Sequence, residues 1–213
     1  MIGRYKLYGG KRCGSVPIEA ALAEIGAPVE VVEMDFVGGE QWGEAYRKIN
    51  PLGRIPALEL PDGTVVTESA ACLLIVCERH PEAGLLPPLE SSDRGRLYRW
   101  LMFASNNLYE AIGRVDYPER YVADKAAAPG AKQVAIEDLK RFWQMIETHL
   151  KPAPFALGER YSALDLYLSV LARWSVRDWI IEHCPRIAGM ARRTAARPKL
   201  APIWQHHFGG EPI

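Results

Sequence analysis

The sequence predicts a small α/β unit followed by an all-helical one. Strand and helix patterns run βαβαββα over residues 1–81, a linker covers 82–92, and helices alone fill 93–213. Three observations carry this. The first eighty residues alternate between extended and helical patterns; the segment from Pro81 to Ser92 concentrates Pro81, Gly84, Pro87 and Pro88; and beyond it apolar residues recur at three- and four-residue steps with no strand pattern.

Tyr5-Lys6-Leu7-Tyr8 reads as the first strand, closed by Gly9-Gly10 and a loop through Gly14. From Ser15 to Ile25, the apolar residues Ile18, Ala21, Leu22 and Ile25 fall at helical spacing, with Pro17 in the first turn and Gly26 just past the end. Val29, Val31 and Val32 form a second strand after Pro28, and the polar stretch from Glu40 to Ile49 is a weak, exposed helix. A hairpin follows: Ile55 to Leu60, a turn at Pro61-Asp62-Gly63, then Thr64-Val65-Val66. Ala70, Leu73, Leu74 and Cys77 carry a helix that stops before Pro81.

In the second half, Leu97, Leu101, Ala104, Leu108, Ala111 and Val115 mark one long amphipathic helix, and Ile136, Leu139, Trp143, Ile146 and Leu150 mark another. The helix that begins near Ser162 is apolar on nearly every side, as expected at the centre of a bundle. Ser162 and Asp165 read as a capping box, with Tyr161 and Leu166 placed as a hydrophobic staple.

Composition narrows the function classes. The 213 residues hold 26 Lys+Arg against 26 Asp+Glu, so no basic field is available to attract nucleic acid. A 48% hydrophobic fraction argues against disorder. The longest apolar run, Ala70 to Cys77, is far short of the roughly 20 residues that span a bilayer. The N-terminal residues lack the pattern of a signal peptide, which makes the cytoplasm the expected compartment. Four cysteines, at 13, 72, 77 and 184, form no zinc or disulfide framework. Cys72 and Cys77 read as core residues, and the six tryptophans as core or pocket lining. His206-His207 has no third ligand at metal spacing and reads as a solvated tail, so no metal is expected.

Three places in the first unit suit one kind of ligand. Pro56 cannot donate a ladder bond, and Ile55 before it is held extended with its N–H and C=O open to an added strand, unless Pro56 simply begins a strand at a sheet edge. At Thr67-Glu68-Ser69, the helix start offers unpaired N–H groups to a carboxylate while Glu68 could accept an ammonium; the plainer alternative is a Ser69 cap beside an exposed acid. The loop Lys11-Arg12-Cys13-Gly14-Ser15 could hold a thiolate, either Cys13 or a ligand's, against the helix end, the cations and the Ser15 hydroxyl. Lowering a thiol pKa by about 2 takes about 2.7 kcal/mol, within reach of such a site. Alternatively Ser15 only caps the helix and Cys13 is a small filler.

Together these places, their order and the helical second half resemble the cytosolic glutathione transferase family, of bacterial type. The resemblance covers nearly the whole chain. Asn50 to Leu58 is similar to the family's loop before its cis-proline, Asp62-Gly63 through Ala71 to its hairpin and Glu-Ser motif, and Gly158 to Tyr167 to its capped core helix. It implies a thioredoxin-like N-terminal domain, a helical C-terminal domain, and a homodimer with the active site in the interdomain cleft. Glutathione would be a co-substrate and its partner a small apolar electrophile, with no metal or other cofactor. Arg54, Ile55, Pro56, Glu68 and Ser69 would bind glutathione, Ile55 through the cysteinyl backbone and Glu68 with Ser69 at the γ-glutamyl end. Ser15, then Cys13, are the catalytic candidates; Tyr8 sits where the tyrosine-type classes keep their hydroxyl. Asn107 and Tyr109 resemble positions that touch the second ligand. The resemblance also leaves open glutathione-dependent thiol exchange through Cys13, or a binding protein without catalysis.

Overall fold

The computed structural model describes residues 3–210 and 213. Two compact units are present: Met1–Leu86 with Ala195–Glu211, and Pro87–Thr194 with Pro212–Ile213. The first break falls inside the expected linker. The C-terminal stretch groups with the first unit, a departure from the expected helical span of 93–213. Pairing across the sequence explains it: Arg197 grips the Glu24 carboxylate with Nε at 2.5 Å and a second nitrogen at 3.2 Å, and Lys199 Nζ donates to Glu24 O at 2.5 Å. Their acidic partner lies too far back in the chain for local patterning to reveal it.

In the first unit, β1 (Tyr5–Gly9), β2 (Val29–Glu33), β3 (Ala57–Glu59) and β4 (Val65–Thr67) form one sheet in the order β2-β1-β3-β4. β1 runs parallel to β2, in register Leu7 to Val31, and antiparallel to β3, in register Tyr8 to Ala57. β3 is antiparallel to β4, in register Ala57 to Thr67. The turn between them closes with Leu60 N–H to Thr64 O at 2.8 Å and Thr64 N–H to the Asp62 carboxylate at 2.9 Å, while Gly63 takes φ +83°, where a side chain would be strained.

Two helices, α1 (Val16–Ile25) and α3 (Ser69–Arg79), pack on each other. α1 ends where Gly26 turns left-handed at φ +82° and returns its N–H to Leu22 O. The expected helix over 40–49 is broken into a 3-10 turn, Glu40–Trp42, and one α turn, α2 (Glu44–Arg47). The extended Gly43 between them, at ψ 150°, interrupts the ladder. Tyr46 of α2 joins Tyr8, Met34 and Ala57 in a small core.

The second unit is helical. α4 (Ser92–Phe103) starts on Ser91, whose hydroxyl accepts from Asp93 N–H at 3.2 Å. The expected single helix through Val115 instead passes through a π-helical stretch, Ala104–Tyr109, into α5 (Glu110–Asp116). α6 (Ala128–Met145) likewise continues into a π-helical stretch, Ile146–Leu150. Apolar spacing does not separate these cases, since both ladders keep the same side roughly facing inward. α7 (Ala163–Leu171) is buried at every residue. α8 (Arg177–His183), α9 (Pro185–Ala195) and, with the first unit, α10 (Ala201–Phe208) complete the chain. No helix among the described residues is long and apolar enough to cross a membrane.

The start of α7 is the capping box that its sequence indicates. Asp165 accepts from Ser162 N–H at 2.8 Å, from the Ser162 hydroxyl at 2.9 Å and from Ala156 N–H at 2.6 Å. Burial pushes its carboxyl up to about 6, against the opposing pull of these hydrogen bonds. A folded value above the unfolded one means that its contribution is complete below about pH 4 and is lost as pH rises through about 6. Asp165→Asn cannot titrate, so the stability gap between parent and variant should shrink by about 2–3 kcal/mol from pH 4 to pH 7. Urea unfolding across that range checks it, and a gap that widens with pH would contradict it.

Candidate functional site

β3 lies between β1 and β4 and runs against both, so its first residue stands beside the last residues of its two neighbours. The loop after β1 carries Cys13 and Ser15, the residues before β3 are Arg54, Ile55 and Pro56, and those after β4 are Glu68 and Ser69. The topology therefore brings the three places of the first unit to one end of the sheet.

β3 is an inner strand, so Pro56 does not mark a sheet edge; it marks the point where pairing stops. The Ile55-Pro56 peptide is cis. Among the described residues, the N–H and C=O of Ile55 take part in none of the hydrogen bonds of loops and caps, and the strand pairing begins only at Ala57. The loop before it is held firmly by neighbours. Arg54 O accepts from the Tyr46 hydroxyl at 2.8 Å and from Asn50 Nδ2 at 2.6 Å, and the Asn50 side-chain oxygen accepts from Leu52 N–H at 3.1 Å. Burial pushes the Tyr46 hydroxyl well above the usual tyrosine range, so it stays a donor. Gly53, at φ +60°, lies so close under the Trp42 ring that an added Cβ would come within 2.5 Å of it. The Arg54 side chain points to solvent.

Glu68 is exposed and adopts φ +66° with ψ 114°, a sparsely populated conformation for a residue with a side chain. It occupies the capping position of α3, and Ser69, expected to be the cap, is instead the first helical residue and buried. The strained residue thus brings its own carboxylate to the start of α3.

In the loop before α1, Ser15 starts the helix but its hydroxyl does not cap it. At 1% exposure, it accepts from Gly10 N–H at 3.4 Å and lies 3.1 Å from Cys13 Sγ. The Cys13 sulfur also accepts from Gly10 N–H at 3.1 Å and donates to Gly10 O at 3.0 Å. Burial pushes the Cys13 thiol up, and the bonds from Ser15 and Gly10 only partly offset this. The loop of the free protein thus disfavours a Cys13 thiolate, one of the two thiolates, Cys13's or a ligand's, that the sequence allows there. Cys13 is partly exposed, whereas Cys72, Cys77 and Cys184 are buried, and all four are free. Tyr8 is packed between Tyr46 and Ala57, its ring 5.9 Å from that of Tyr46.

Asn107 and Tyr109 belong to the second unit, on its first π-helical stretch. Asn107 Nδ2 donates to Phe103 O at 3.1 Å, and the Tyr109 ring lies 5.2 Å from Trp174. The expected solvated histidine tail is corrected: His207 is 3% exposed and 2.9 Å from the Glu19 carboxylate. No group of three or more His, Cys, Asp and Glu side chains among the described residues is arranged to hold a metal. The gripping of Arg54 O by Tyr46 and Asn50 was not read from the sequence; the run from Asn50 to Gly53 was its only local trace.

A model of the glutathione S-transferase N-terminal domain matches residues 15–79. An uncharacterized GST-like protein of Escherichia coli K12, YncG, is 30% identical over 202 residues, covering 93% of this chain and 96% of that protein. The chain belongs to the glutathione S-transferase family. The glutathione S-transferase GstA of Escherichia coli O157:H7 is 28% identical over 200 residues, covering 92% and 94% of the two chains. A crystal structure of a glutathione transferase homologue from Sulfitobacter, with bound glutathione, superposes with a TM-score of 0.88 at 27% identity, covering 95% and 97%. The sheet order and the helical second unit are those of a thioredoxin-like domain followed by the transferase helical domain.

The Asn50 side chain braces the proline loop from within, beside the Tyr46 hydroxyl that reaches it from α2. Asn50→Ala leaves Leu52 N–H without its acceptor and removes one of two donors to Arg54 O, so it should cost about 1–3 kcal/mol in chemical denaturation. A loss below about 0.5 kcal/mol would mean that the Tyr46 hydroxyl holds the loop alone.

Proposed function

We propose that the protein binds reduced glutathione across the end of its sheet and directs the glutathione sulfur at an apolar electrophile. The observation that carries this reading is the unpaired backbone of Ile55 beside cis-Pro56, with an acid and a helix start on one side and a thiol-and-hydroxyl loop on the other. A peptide of glutathione's size can add there as a short antiparallel strand, its cysteinyl N–H and C=O meeting those of Ile55. Glu68 then accepts the γ-glutamyl ammonium, and Ser69 with the first N–H groups of α3 takes the carboxylate. Arg54 supplies an exposed cation nearby, and Pro56 leaves no competing donor.

The sulfur falls to the Cys13–Ser15 loop. A neutral Cys13 S–H that now donates to Gly10 O can turn to a ligand thiolate, and Gly10 N–H and the Ser15 hydroxyl are the further donors there. In substitution, conjugation forms one carbon–sulfur bond, the leaving group departs with its electron pair and the thiol proton passes to solvent; in addition to a double bond, the π pair moves to the neighbouring atom, which takes up a proton. Proximity and thiolate stabilisation supply the rate, without a metal or a redox cofactor. Asn107 and Tyr109, beside the aromatic Trp174, are assigned to the apolar second substrate, in a cytoplasmic homodimer.

Titration calorimetry should show glutathione binding with a millimolar or tighter Kd, weakened about tenfold by Ser69→Ala. No heat at millimolar glutathione would end the proposal. The partial exposure of Cys13 favours one second reading, thiol exchange through a Cys13–glutathione mixed disulfide. Mass spectrometry after treatment with oxidised glutathione separates the two. We expect no adduct, because the raised thiol leaves little thiolate to attack; an adduct that disappears in Cys13→Ser would establish exchange.

A further inference from the structure

The last helix reaches into the loop that carries Cys13. We infer that His207 is a positioning residue for this loop: its imidazole fixes the backbone at Arg12 and thereby the place of the Cys13 sulfur. Arg12 N–H donates to His207 Nδ1 at 3.4 Å, and His207 Nε2 lies 2.9 Å from the Glu19 carboxylate on α1. A backbone N–H can only donate and an ionised carboxylate can only accept, so the two contacts together select one neutral tautomer, with the lone pair on Nδ1 and the hydrogen on Nε2. At 3% exposure, the ring is shielded from bulk solvent.

The residue it holds is itself unusual. Arg12 has φ +60°, left-handed for a residue with a side chain, so its conformation has to be imposed by its surroundings. The same helix adds a second grip, the Arg12 guanidinium standing 5.5 Å over the Phe208 ring. Cys13 follows directly, and its sulfur reaches Gly10 N–H, Gly10 O and the Ser15 hydroxyl only if the chain turns back at Arg12. The neighbouring His206 pairs with Glu33 of β2 at 2.9 Å, so its substitution controls for helix docking away from Arg12.

The catalytic consequence rests on the proposed glutathione chemistry, so the test uses the full chain without glutathione. In His207→Asn, the side-chain oxygen falls near the Nδ1 position and can still accept from Arg12 N–H. In His207→Gln, the longer amide reaches toward Glu19 and leaves Arg12 N–H unmet. Alkylation of Cys13 by iodoacetamide, followed by peptide mass spectrometry, should proceed at the parent rate in His207→Asn and in the control His206→Ala. It should be about threefold to tenfold faster in His207→Gln. Equal rates in the two His207 variants, whether slow or fast, would overturn the inference. Should either variant fail to fold, hydrogen exchange in the parent decides: a protected Arg12 amide is expected, and an unprotected one overturns it. A chain that binds no glutathione yet shows this pattern keeps the inference and loses the proposed function.

Discussion

The chemistry of the first unit depends on the direction of one short strand. β3 is only three residues long, yet it runs antiparallel to β1 on one side and β4 on the other. An inner strand flanked this way places its own beginning against the ends of both neighbours. Three loops that are separate in sequence are thereby forced to one end of the sheet. The proline just before β3 then halts the pairing there, and the backbone of Ile55 stays open for a ligand instead of being used by the fold.

Each of those loops is shaped by groups whose own role is to hold a backbone atom. Tyr46 and Asn50 share the carbonyl of Arg54, Gly10 and Ser15 surround the sulfur of Cys13, and α3 begins on a strained Glu68. A site made mainly of main-chain donors and acceptors costs little reorganisation when a peptide arrives, because the backbone groups are already aimed. The Cys13 thiol, raised by burial, donates to Gly10 O in the free protein.

The helical unit is organised around a different polar device. α7 is apolar all round, so no solvent is available to satisfy the N–H groups at its start. Asp165 meets that need from within the helix, and by also accepting from Ala156 it ties the preceding loop to the core. The carboxylate is held by three hydrogen bonds yet is still driven up by burial, which shows that desolvation outweighs hydrogen bonding at this depth.

Local chemistry alone determined the order of strands and helices, the hairpin at Asp62-Gly63, the capping box at Ser162 and Asp165, and the halt in pairing at Pro56. Each depends on residues within a few positions of one another, where propensity, φ limits and spacing act directly. The break at Gly43, the π-helical stretches and the strain at Glu68 and Arg12 were hidden, because apolar spacing is nearly the same for the competing conformations. Tertiary structure decided the rest. It made β3 an inner strand and brought Arg197, His206 and His207 onto Glu24, Glu33 and Glu19 of the first unit. Those outcomes depend on partners far away in the chain, whose distance in space is set only when the sheet and its helices have packed.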